Sequence, residues 1–426
     1  MTTIRTIIVV AVKKGWPMYQ LDVNNAFLHV DLDEKVYMRI PQGLNVSAPT
    51  MVCKLDKCLY GLKQASRQWY SKLSDSLISK GYSVSKNDYS LFIKSIGSHI
   101  TIVVVYVDDI LLSGNDEKEM SSLKLFLDAQ FKIKNLGHLH YFLGLEILSE
   151  SGGVIICQRK FALDLLSEFN CLDCNVVASP LDVNLKLSIE DGEPLSDLFL
   201  YRKLIGKLNF LTNTRPDLAF SVQLLSQFMH APTSSHLSAA YHVLKYVKGT
   251  LGQGLFMSVA SDFSLHAYCD SDWASFPSSR RSVSGYLVLL GGSLLTWKSK
   301  KQHTVSLSSV EAEYHSMRRV VAELAWLTRL LHELSVTSIF PVPLHCDSQS
   351  AIYIARNPLF HERTKHIKLD CHFVREKLQD GLISLSYLPS KLQLADMLTK
   401  SLSGVTLRLQ SEYKLLGANC KEKAGQ

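Results

Sequence analysis

The sequence lacks any apolar run that approaches the roughly 20 residues needed to cross a bilayer. The strongest run, Ile100 to Val107, ends at two aspartates, and its length and β-branched side chains predict a buried strand. Residues 2–12 are apolar, short and followed by two lysines, which predicts a core helix rather than a targeting segment. We therefore expect an intracellular protein with no membrane partner.

Other signatures are missing as well. The single Cys-x-x-Cys, Cys171 to Cys174, has no second pair and no histidine cluster near it, which argues against a zinc module. Internal repeats and low-complexity tracts are absent. Hydrophobic residues make up 46% of the 426 residues and charged residues 20%, a balance that favours packed cores over disorder. The net charge of +7 is mild and is compatible with a nucleic-acid partner without requiring one.

Helical and strand-like patterns alternate along the chain and predict an α+β multidomain protein. The expected domains are 1–115, 116–180, 181–258 and 262–402, followed by a tail at 403–426. In the last domain we expect the order strand, strand, strand, helix, strand, helix, helix, strand, helix, with the final helix at 391–400.

Three aspartates stand at strand ends in the first domain. Asp22 follows an apolar strand, and Asp108 and Asp109 occupy a tight turn between two apolar strands. Adjacent carboxylates in such a place are costly unless a cation neutralises them, and two Mg²⁺ ions held by acids support phosphoryl transfer. Taken alone, the Asp-Asp pair is equally explained as an exposed hairpin turn, but Tyr106 just before it weakens that explanation.

Four acidic residues later in the sequence are associated, in order, with a predicted strand, helix, strand and helix. Asp270 and Asp347 end predicted strands, Glu313 lies early in a long helix, and Asp396 lies in the predicted final helix. Acids so placed can converge on one face of a sheet, bind two divalent cations and activate water against a phosphodiester. Each acid by itself is explained as a solvated or capping residue.

Several stretches resemble the Pol polyprotein of Ty1/copia-type LTR retrotransposons. Tyr106-Val-Asp-Asp109 is similar to the YxDD box of reverse transcriptases, Gln20 to Leu28 to their first aspartate motif, and Leu59-Tyr-Gly-Leu-Lys-Gln-Ala65, followed by Trp69, to a copia-class signature. The four later acids resemble the metal ligands of RNase H, and Arg280 to Tyr286, Arg363 to Ile367 and Ala395 to Lys400 match the copia-class version of that domain.

The resemblance implies a polymerase palm in 1–115, its end with a thumb-like part in 116–180, and a connection in 181–258. An RNase H-like α/β domain, with a mixed sheet flanked by helices, would follow in 262–402. The connection resembles a helical platform whose lysines and arginines face phosphates, with basic faces at the following positions: Arg202, Lys203, Lys207, Lys245 and Lys248.

The resemblance also implies roles for single residues. Asp22, Asp108 and Asp109 would be the polymerase metal ligands, and each active site, including that of Asp270, Glu313, Asp347 and Asp396, would hold two Mg²⁺ or Mn²⁺ ions. The implied nucleotide- and template-binding residues are Phe27, which as an aromatic gate excludes a 2′-hydroxyl, together with Tyr60, Gly61, Lys63 and Tyr106.

Two metal positions have competitors. Glu311 and Glu313 are two residues apart, so on a helix they point to nearly opposite faces and only one can face the metals. We choose Glu313, because RNase H domains follow their glutamate with an apolar helical stripe. Asp272 shares a strand face with Asp270, and we choose Asp270 because it is closer to the apolar strand. Many RNase H domains carry a histidine before the last aspartate, where this chain has Ser390.

The function implied is RNA-templated DNA synthesis and hydrolysis of RNA in RNA–DNA hybrids, in cytoplasmic virus-like particles or in the nucleus. The partners would be the hybrid, an RNA template, a DNA primer and dNTPs, and the oligomeric state stays open. Because the family's polymerase begins well upstream of Thr2, we expect an N-terminally truncated palm with impaired polymerisation. The alternative is a non-catalytic remnant that folds and binds nucleic acid.

Overall fold

The computed structural model describes residues 1–44, 51–337, 339–357 and 368–412, so the motif at 363–367 lies outside the described residues. Helices are combined with several sheets, which confirms the predicted mixture. The chain divides into two compact units. Gly15–Leu143 forms the 15–143 unit, and Met1–Lys14 with Gly144–Gln426 forms the larger unit. The finer domain boundaries stay predictions.

Helices and strands alternate along most of the described chain. The helices are α1 (Thr2–Lys14), α2 (Ala65–Ser79), α3 (Glu117–Phe131), α4 (Arg159–Glu168), α5 (Leu198–Leu211), α6 (Ala219–Leu225), α7 (Ser234–Gly249), α8 (Ser309–Glu333), α9 (Gln349–Arg356), α10 (Lys368–Gln379) and α11 (Gly404–Glu412). The strands are β1 (Met18–Val23), β2 (Asp31–Arg39), β3 (Val52–Lys57), β4 (Ser83–Val84), β5 (Leu91–Ile96), β6 (His99–Tyr106), β7 (Asp109–Gly114), β8 (Ile133–His138), β9 (Tyr141–Phe142), β10 (Leu145–Glu150), β11 (Gly153–Cys157), β12 (Leu255–Ser258), β13 (Leu265–Asp272), β14 (Val283–Leu290), β15 (Ser293–Lys301), β16 (Val342–Cys346) and β17 (Ile383–Tyr387). Within the described ranges, no helix has both the length and the apolar character needed to cross a membrane.

The 15–143 unit is built on a six-stranded sheet in the order β4-β5-β6-β7-β1-β8. Neighbouring strands run antiparallel. Residues 100–105 are buried, as their β-branched run predicts. Trp69 of α2 and Phe131 of α3 meet edge to face with ring centroids 5.1 Å apart, and both belong to the core that contains Val103 and Leu112. The two helices thereby cover one face of the sheet and hold β1 beside the β6–β7 hairpin.

The larger unit contains a five-stranded mixed sheet in the order β15-β14-β13-β16-β17. β13, β14 and β15 are antiparallel, while β16 and β17 run parallel to β13. The apolar stripe of α8 packs on β13 and β14. The Ser316 hydroxyl donates to the carbonyls of Asp270 and Gly285, at 2.8 and 2.9 Å, and fixes the helix to the sheet. These observations agree with the predicted mixed sheet flanked by helices.

The apolar N-terminal helix is buried within the larger unit. The Arg5 guanidinium lies 4.0 Å from the Trp297 ring centroid and donates to the Asn213 carbonyl at 2.9 Å. The Lys13 ammonium donates to the carbonyls of Ala260 and Gly291 at 3.0 and 3.2 Å. The prediction of a core helix is confirmed, and these contacts assign it to the larger unit.

Three basic side chains of the helical segment at 201–250 have partners within the chain. Lys203 and Lys207 both pair with Glu168, and Lys248 donates to the Cys174 carbonyl at 2.7 Å. Lys203 is exposed, and Lys207 and Lys248 are half-buried, so these contacts leave the ammonium groups within reach of solvent. The phosphate-facing platform stays a prediction.

Candidate active sites

The structure brings Asp22, Asp108 and Asp109 together at one end of the 15–143 sheet. Asp22 on β1 lies opposite Asp109 on β7, and the β6–β7 ladder ends with Tyr106 opposite Asp109. The hairpin therefore turns through two residues, Val107 and Asp108. The Val23 amide donates to the Asp108 carbonyl at 2.9 Å and ties the turn to β1.

The turn has a strained backbone that α2 supports. Val107 has φ of 56°, in the left-handed region that β-branched residues seldom adopt. The Trp69 indole donates to the Val107 carbonyl at 2.7 Å, and the ring itself is buried. Trp69 thus positions the turn that carries Asp108. The sequence marked Trp69 as part of the copia-like signature but gave it no role.

Burial and mutual repulsion perturb the first acid cluster. Burial, followed by the charges of Asp108 and Asp22, raises the pKa of Asp109, and a hydrogen bond from Gln20 opposes this. Neighbouring carboxylates repel one another until a cation lies between them. Hard divalent cations take carboxylate oxygens as ligands, so this donor set fits such an ion.

Two aromatic rings lie beside these aspartates. Phe27 is buried, and its ring centroid is 4.5 Å from that of Tyr60. The Tyr60 hydroxyl donates to Asp108 Oδ2 at 3.2 Å. Burial, then the charge of Asp108, raises the pKa of Tyr60, so its proton stays available for that hydrogen bond.

The other predicted nucleotide- and template-binding residues surround this end of the sheet. Gly61 follows Tyr60 with φ of 96°, a conformation that glycine adopts without strain. Lys63 and Tyr106 are exposed. Their roles, and those of Phe27 and Tyr60, stay predictions.

The second cluster is centred on Asp270, which is 3% exposed on the central strand β13. The Thr399 hydroxyl donates to Asp270 Oδ2. Burial raises the pKa of Asp270, and the charge of Asp347 raises it further. The charge of Lys400 and the hydrogen bond from Thr399 oppose this rise. A carboxylate this buried needs a nearby cation to remain charged.

Glu313 and Glu311 have different surroundings on α8. Glu313 Oε1 accepts the Ser271 amide at 3.1 Å, and burial followed by Asp270 raises its pKa well above the ordinary value. Glu311 instead accepts the Leu307 amide at 2.8 Å, in the first turn that Ser308 caps. The geometry therefore favours Glu313 as the glutamate of the acid cluster, and Glu311 acts as a helix-start acid.

Asp396 does not lie in the predicted helix at 391–400. That segment forms two 3₁₀ turns, Ser390–Leu392 and Leu394–Leu398, so the helix prediction is wrong there. Gln393 interrupts the helix because its side chain accepts the Ala395 amide at 3.2 Å and donates to the Cys269 carbonyl at 3.0 Å. A tertiary hydrogen bond of this kind cannot be read from local periodicity.

A glycine lets the Asp396 turn lie directly on the sheet. A Cβ at Gly285 would lie 2.7 Å from Thr399 Cγ2 and 2.8 Å from Leu398 Cβ, closer than side chains pack. Gly285 is the β14 partner of Asp270. The missing side chain therefore allows the turn with Asp396 to approach Asp270 across the strand.

Asp396 and Asp347 complete the group of interacting acids. Burial, followed by Asp270, raises the pKa of Asp396 to about 7, Lys400 opposes the rise, and Asp347 contributes to it. Asp347 follows β16 and is half-buried, and its Oδ2 accepts the Ser390 hydroxyl at 2.7 Å. Asp270 and Asp347 both raise the pKa of Glu313 and of Asp396, so the four acids chosen from the sequence lie in one cluster.

Lys400 is the cation inside this cluster. Its ammonium pairs with Asp396 Oδ1 at 3.0 Å. Burial lowers the pKa of Lys400, but Asp270, Asp396 and Asp272 together raise it above its ordinary value. No role for this lysine was predicted from the sequence, because a lysine four residues after an aspartate is too common to be a signal.

Asp272 stays close to the same cluster. It is half-buried, and burial raises its pKa. The charge of Lys400 lowers this pKa, and the charge of Asp270 raises it. Asp270 is the more buried of the two and contacts Thr399. The structure places both aspartates near Lys400, so the preference for Asp270 stays a prediction.

One set of atoms has the spacing of a metal site. Ligand atoms of Glu313, Cys346 and Asp347 all lie within 4.8 Å of one another. Glu313 Oε2 is buried and has no hydrogen-bond partner among the described residues. A buried, unsatisfied carboxylate oxygen is the feature that a cation would satisfy. Sequence reasoning found the two acids but missed Cys346.

Comparisons with known proteins agree with these observations. Residues 1–183 match the family model described as "Reverse transcriptase (RNA-dependent DNA polymerase)". The chain is 43% identical over 403 residues to a retrovirus-related Pol polyprotein from transposon RE1 of Arabidopsis thaliana, covering 94% of this chain and 28% of that protein. It is 32% identical over 309 residues to a putative transposon Ty5-1 protein of Saccharomyces cerevisiae, covering 71% of this chain and all of that protein.

A solved structure is more distantly similar. The chain shows 17% identity and a TM-score of 0.24 to an RNase H1 from the archaeon Halobacterium salinarum, covering 32% of this chain and 94% of that one. The matched family model identifies residues 1–183 as similar to reverse transcriptases. The chain belongs to the retrovirus-related Pol polyproteins of copia-type retrotransposons. It spans under a third of the length of the Arabidopsis relative.

Proposed function

We propose that this part of a copia-type Pol polyprotein carries two chemical centres, one in each compact unit. The acids of the 15–143 unit would serve RNA-templated DNA synthesis, and those of the larger unit would hydrolyse RNA in RNA–DNA hybrids. The observation that supports this most directly is the convergence of acids far apart in sequence into one cluster per unit.

The nuclease centre has groups suited to holding divalent cations. Asp270, Glu313, Asp347 and Asp396 would hold two Mg²⁺ or Mn²⁺ ions, and the unsatisfied Glu313 Oε2 fits such a role. Bound ions of this kind activate water and stabilise the departing oxygen in phosphodiester hydrolysis.

Neighbouring side chains keep the nuclease acids oriented. Thr399 fixes Asp270, Ser390 fixes Asp347, and Lys400 offsets part of the negative charge. Hydrogen-bond partners of this kind orient the carboxylates that would bind the metal. Ser390 occupies the region where many RNase H domains carry a histidine, and its hydroxyl cannot accept and release a proton near neutral pH as imidazole does.

The polymerase centre would be formed by Asp22, Asp108 and Asp109. Phe27, buried against Tyr60, would exclude a 2′-hydroxyl by its bulk, and Tyr60 would orient Asp108. Gly61 and the exposed Lys63 and Tyr106 would face template and nucleotide. The 15–143 unit is thus proposed as palm.

Partners and location follow from this proposal. We infer an RNA template, a DNA primer strand, dNTPs and an RNA–DNA hybrid as partners. The thumb-like segment at 116–180, the connection at 181–258 and the nuclease domain at 262–402 remain proposed divisions. A virus-like particle in the cytoplasm is the proposed location, and no observation supports the nuclear alternative.

The test is release of fragments from an RNA–DNA hybrid, labelled in the RNA strand, with Mg²⁺ present. The full chain should cleave, Asp347→Asn should not, and Asp173→Asn, at an exposed position, should cleave like the parent. Equal cleavage by Asp347→Asn would refute the site. Hybrid binding by the parent without cleavage would support the alternative of a non-catalytic remnant.

A further inference from the structure

A buried cysteine lies inside the acid cluster of the larger unit. Cys346 is the last residue of β16, is fully buried, and directly precedes Asp347. Its sulfur lies within 4.8 Å of a carboxylate oxygen of Glu313 and of Asp347. Acids alone would make this a site for a hard cation, whereas a thiolate ligand changes which metals it prefers.

A backbone amide is directed at the sulfur. The Ser348 amide donates to Cys346 Sγ at 3.4 Å, and a backbone N–H directed at sulfur stabilises a metal-bound thiolate. Ser348 is also the N-cap of α9, because its hydroxyl accepts the Ala351 amide. The start of that helix therefore holds the donor amide in place.

The second, independent observation is the unsatisfied glutamate. Glu313 is 7% exposed, and its Oε2 has no hydrogen-bond partner among the described residues. The Lys400 ammonium pairs with Asp396. A carboxylate oxygen of Glu313 and the sulfur of Cys346 lie within 4.8 Å of each other, so the unsatisfied glutamate belongs to the same group of atoms as the thiol.

We propose that Cys346 is a ligand of this cluster together with Glu313 and Asp347, and that the cluster therefore binds a thiophilic divalent cation, Cd²⁺ or Zn²⁺. Zn²⁺ forms metal–sulfur bonds of about 2.3 Å and metal–oxygen bonds of about 2.0–2.2 Å. These lengths put ligand atoms nearer together than the 4.8 Å limit, so side-chain rotation closes the site. As the sulfur–metal bond forms, the thiol proton passes to solvent.

The proposal shares its acids with the proposed nuclease centre but concerns a different property. Mg²⁺ takes oxygen ligands and has no need of the sulfur, so Cys346 would leave Mg²⁺ binding nearly unchanged while strengthening Cd²⁺ and Zn²⁺ binding. Direct binding of Cd²⁺ can therefore be measured without any nuclease activity. Failure to cleave hybrid would refute the proposed function and leave this proposal standing.

The experiment titrates the reduced full chain with Cd²⁺ and follows the ultraviolet sulfur-to-cadmium charge-transfer absorption. In Cys346→Ser, the charge-transfer absorption should fall by the amount that one thiolate ligand contributes, and Cd²⁺ should bind about ten-fold or more weakly. The matched control is Cys157→Ser, which removes a buried thiol from a different sheet of the same unit. Its Cd²⁺ titration should match that of the parent chain.

Two further variants keep the result decisive. Glu313→Gln should keep the absorption but require at least several-fold more Cd²⁺ to reach it, since one ligand of the set is lost. Cys269→Ser tests the neighbouring buried thiol and should titrate like the parent. Unchanged absorption in a folded Cys346→Ser chain, or loss of absorption only in Cys269→Ser, would overturn the proposal.

Discussion

The two acid clusters differ in how far they are withdrawn from water. Asp22, Asp108 and Asp109 are half-exposed around a two-residue turn, whereas Asp270, Glu313 and Asp396 are all under 9% exposed. The cluster of the 15–143 unit is shaped by a strained hairpin held by Trp69. The cluster of the larger unit is shaped by burial and contains its own cation, Lys400.

The difference teaches that similar donor sets are made ready for metal in different ways. In the cluster of the 15–143 unit, burial, followed by the charges of Asp108 and Asp22, raises the pKa of one acid, Asp109. In the cluster of the larger unit, burial is the largest cause of the raised pKa of Asp270, Glu313 and Asp396. A cation should therefore stabilise the larger unit more than the 15–143 unit.

The largest expected effect is the functional separation of the clusters. Asp270→Asn should lower hybrid cleavage by at least about 10²-fold, because a buried ligand contributes several kcal/mol of charge stabilisation. It should leave primer extension unchanged. Asp22→Asn should do the reverse. Both activities are measured on the same preparations, with Asp75→Asn, at an exposed position of α2, as the control.

Loss of both activities in either aspartate variant would contradict the assignment of one activity to each cluster. It would mean that the two units do not carry separate chemistry. If the parent chain shows no primer extension, the cleavage arm still tests the nuclease half by itself.

The next effect separates two glutamates on one helix. Glu313→Gln should lower hybrid cleavage by at least about 10²-fold. It should not lower the unfolding midpoint of the metal-free chain, because the raised pKa of Glu313 already disfavours the charged form of this side chain. Glu311→Gln should cleave within about two-fold of the parent and lose about 0.3–1 kcal/mol of stability as a first-turn acid. Cleavage rates and thermal unfolding of both variants test this.

The opposite pattern, with Glu311→Gln inactive and Glu313→Gln active, would reverse the assignment. The comparison is well matched because both changes replace a glutamate by its amide within the first two turns of α8.

Stability against pH should distinguish the buried cluster without any substrate. The pKa of Asp396 is raised from 3.8 to about 7, so the folded chain binds this proton more tightly than the unfolded chain. Its stabilising contribution is present below about pH 4 and is lost as pH rises through about 7. Asp270 and Glu313 are shifted in the same direction.

The metal-free chain should therefore lose stability between about pH 4 and 7 from this cluster, and saturating Mg²⁺ should remove the loss because it binds the charged acids. Thermal unfolding with and without Mg²⁺ measures it. Asp396→Asn should flatten the metal-free profile. A profile that is the same in parent and variant would contradict the pKa assignment.

The smallest expected effect lies in the exposed cluster. Tyr60→Phe removes the hydroxyl that contacts Asp108 and keeps the ring that packs on Phe27. A hydrogen bond to a carboxylate contributes about 1.5–3 kcal/mol, so kcat/KM for nucleotide addition should fall by about ten- to a hundred-fold. Tyr37→Phe, at an exposed ring of β2, is the control. A loss above about 10²-fold would mean that the hydroxyl does more than orient Asp108.

Strands with strong patterns could be predicted from sequence. The β-branched run of β6 and the apolar start of β1 suffice to put Asp22 and Asp109 at strand ends, and these two ends are neighbours in the sheet. The β2–β3 hairpin was missed because Asp31, Asp33, Glu34 and Lys35 leave no alternating apolar pattern. Local periodicity also gave a helix at 391–400, where Gln393 bonds to β13 instead.

The internal partners of the acids could not be predicted. Sequence reasoning selected acids that do interact, but helix geometry alone left Glu311 and Glu313 open. Their separation depends on Leu307 and Ser271, which contact one glutamate each. Lys400, Thr399 and Cys346 enter the cluster through tertiary folding. Gly285, the glycine that permits this approach, carries no signal of its own.

The central claim is that two separate acid clusters each hold divalent cations. The most direct test is an equilibrium titration with Mn²⁺, following the free ion by electron paramagnetic resonance, on the parent, Asp22→Asn, Asp347→Asn and the double variant. The account predicts that each single variant loses one class of sites and that the double variant loses both. Unaltered Mn²⁺ binding in the double variant, or loss of all sites in either single variant, would contradict it.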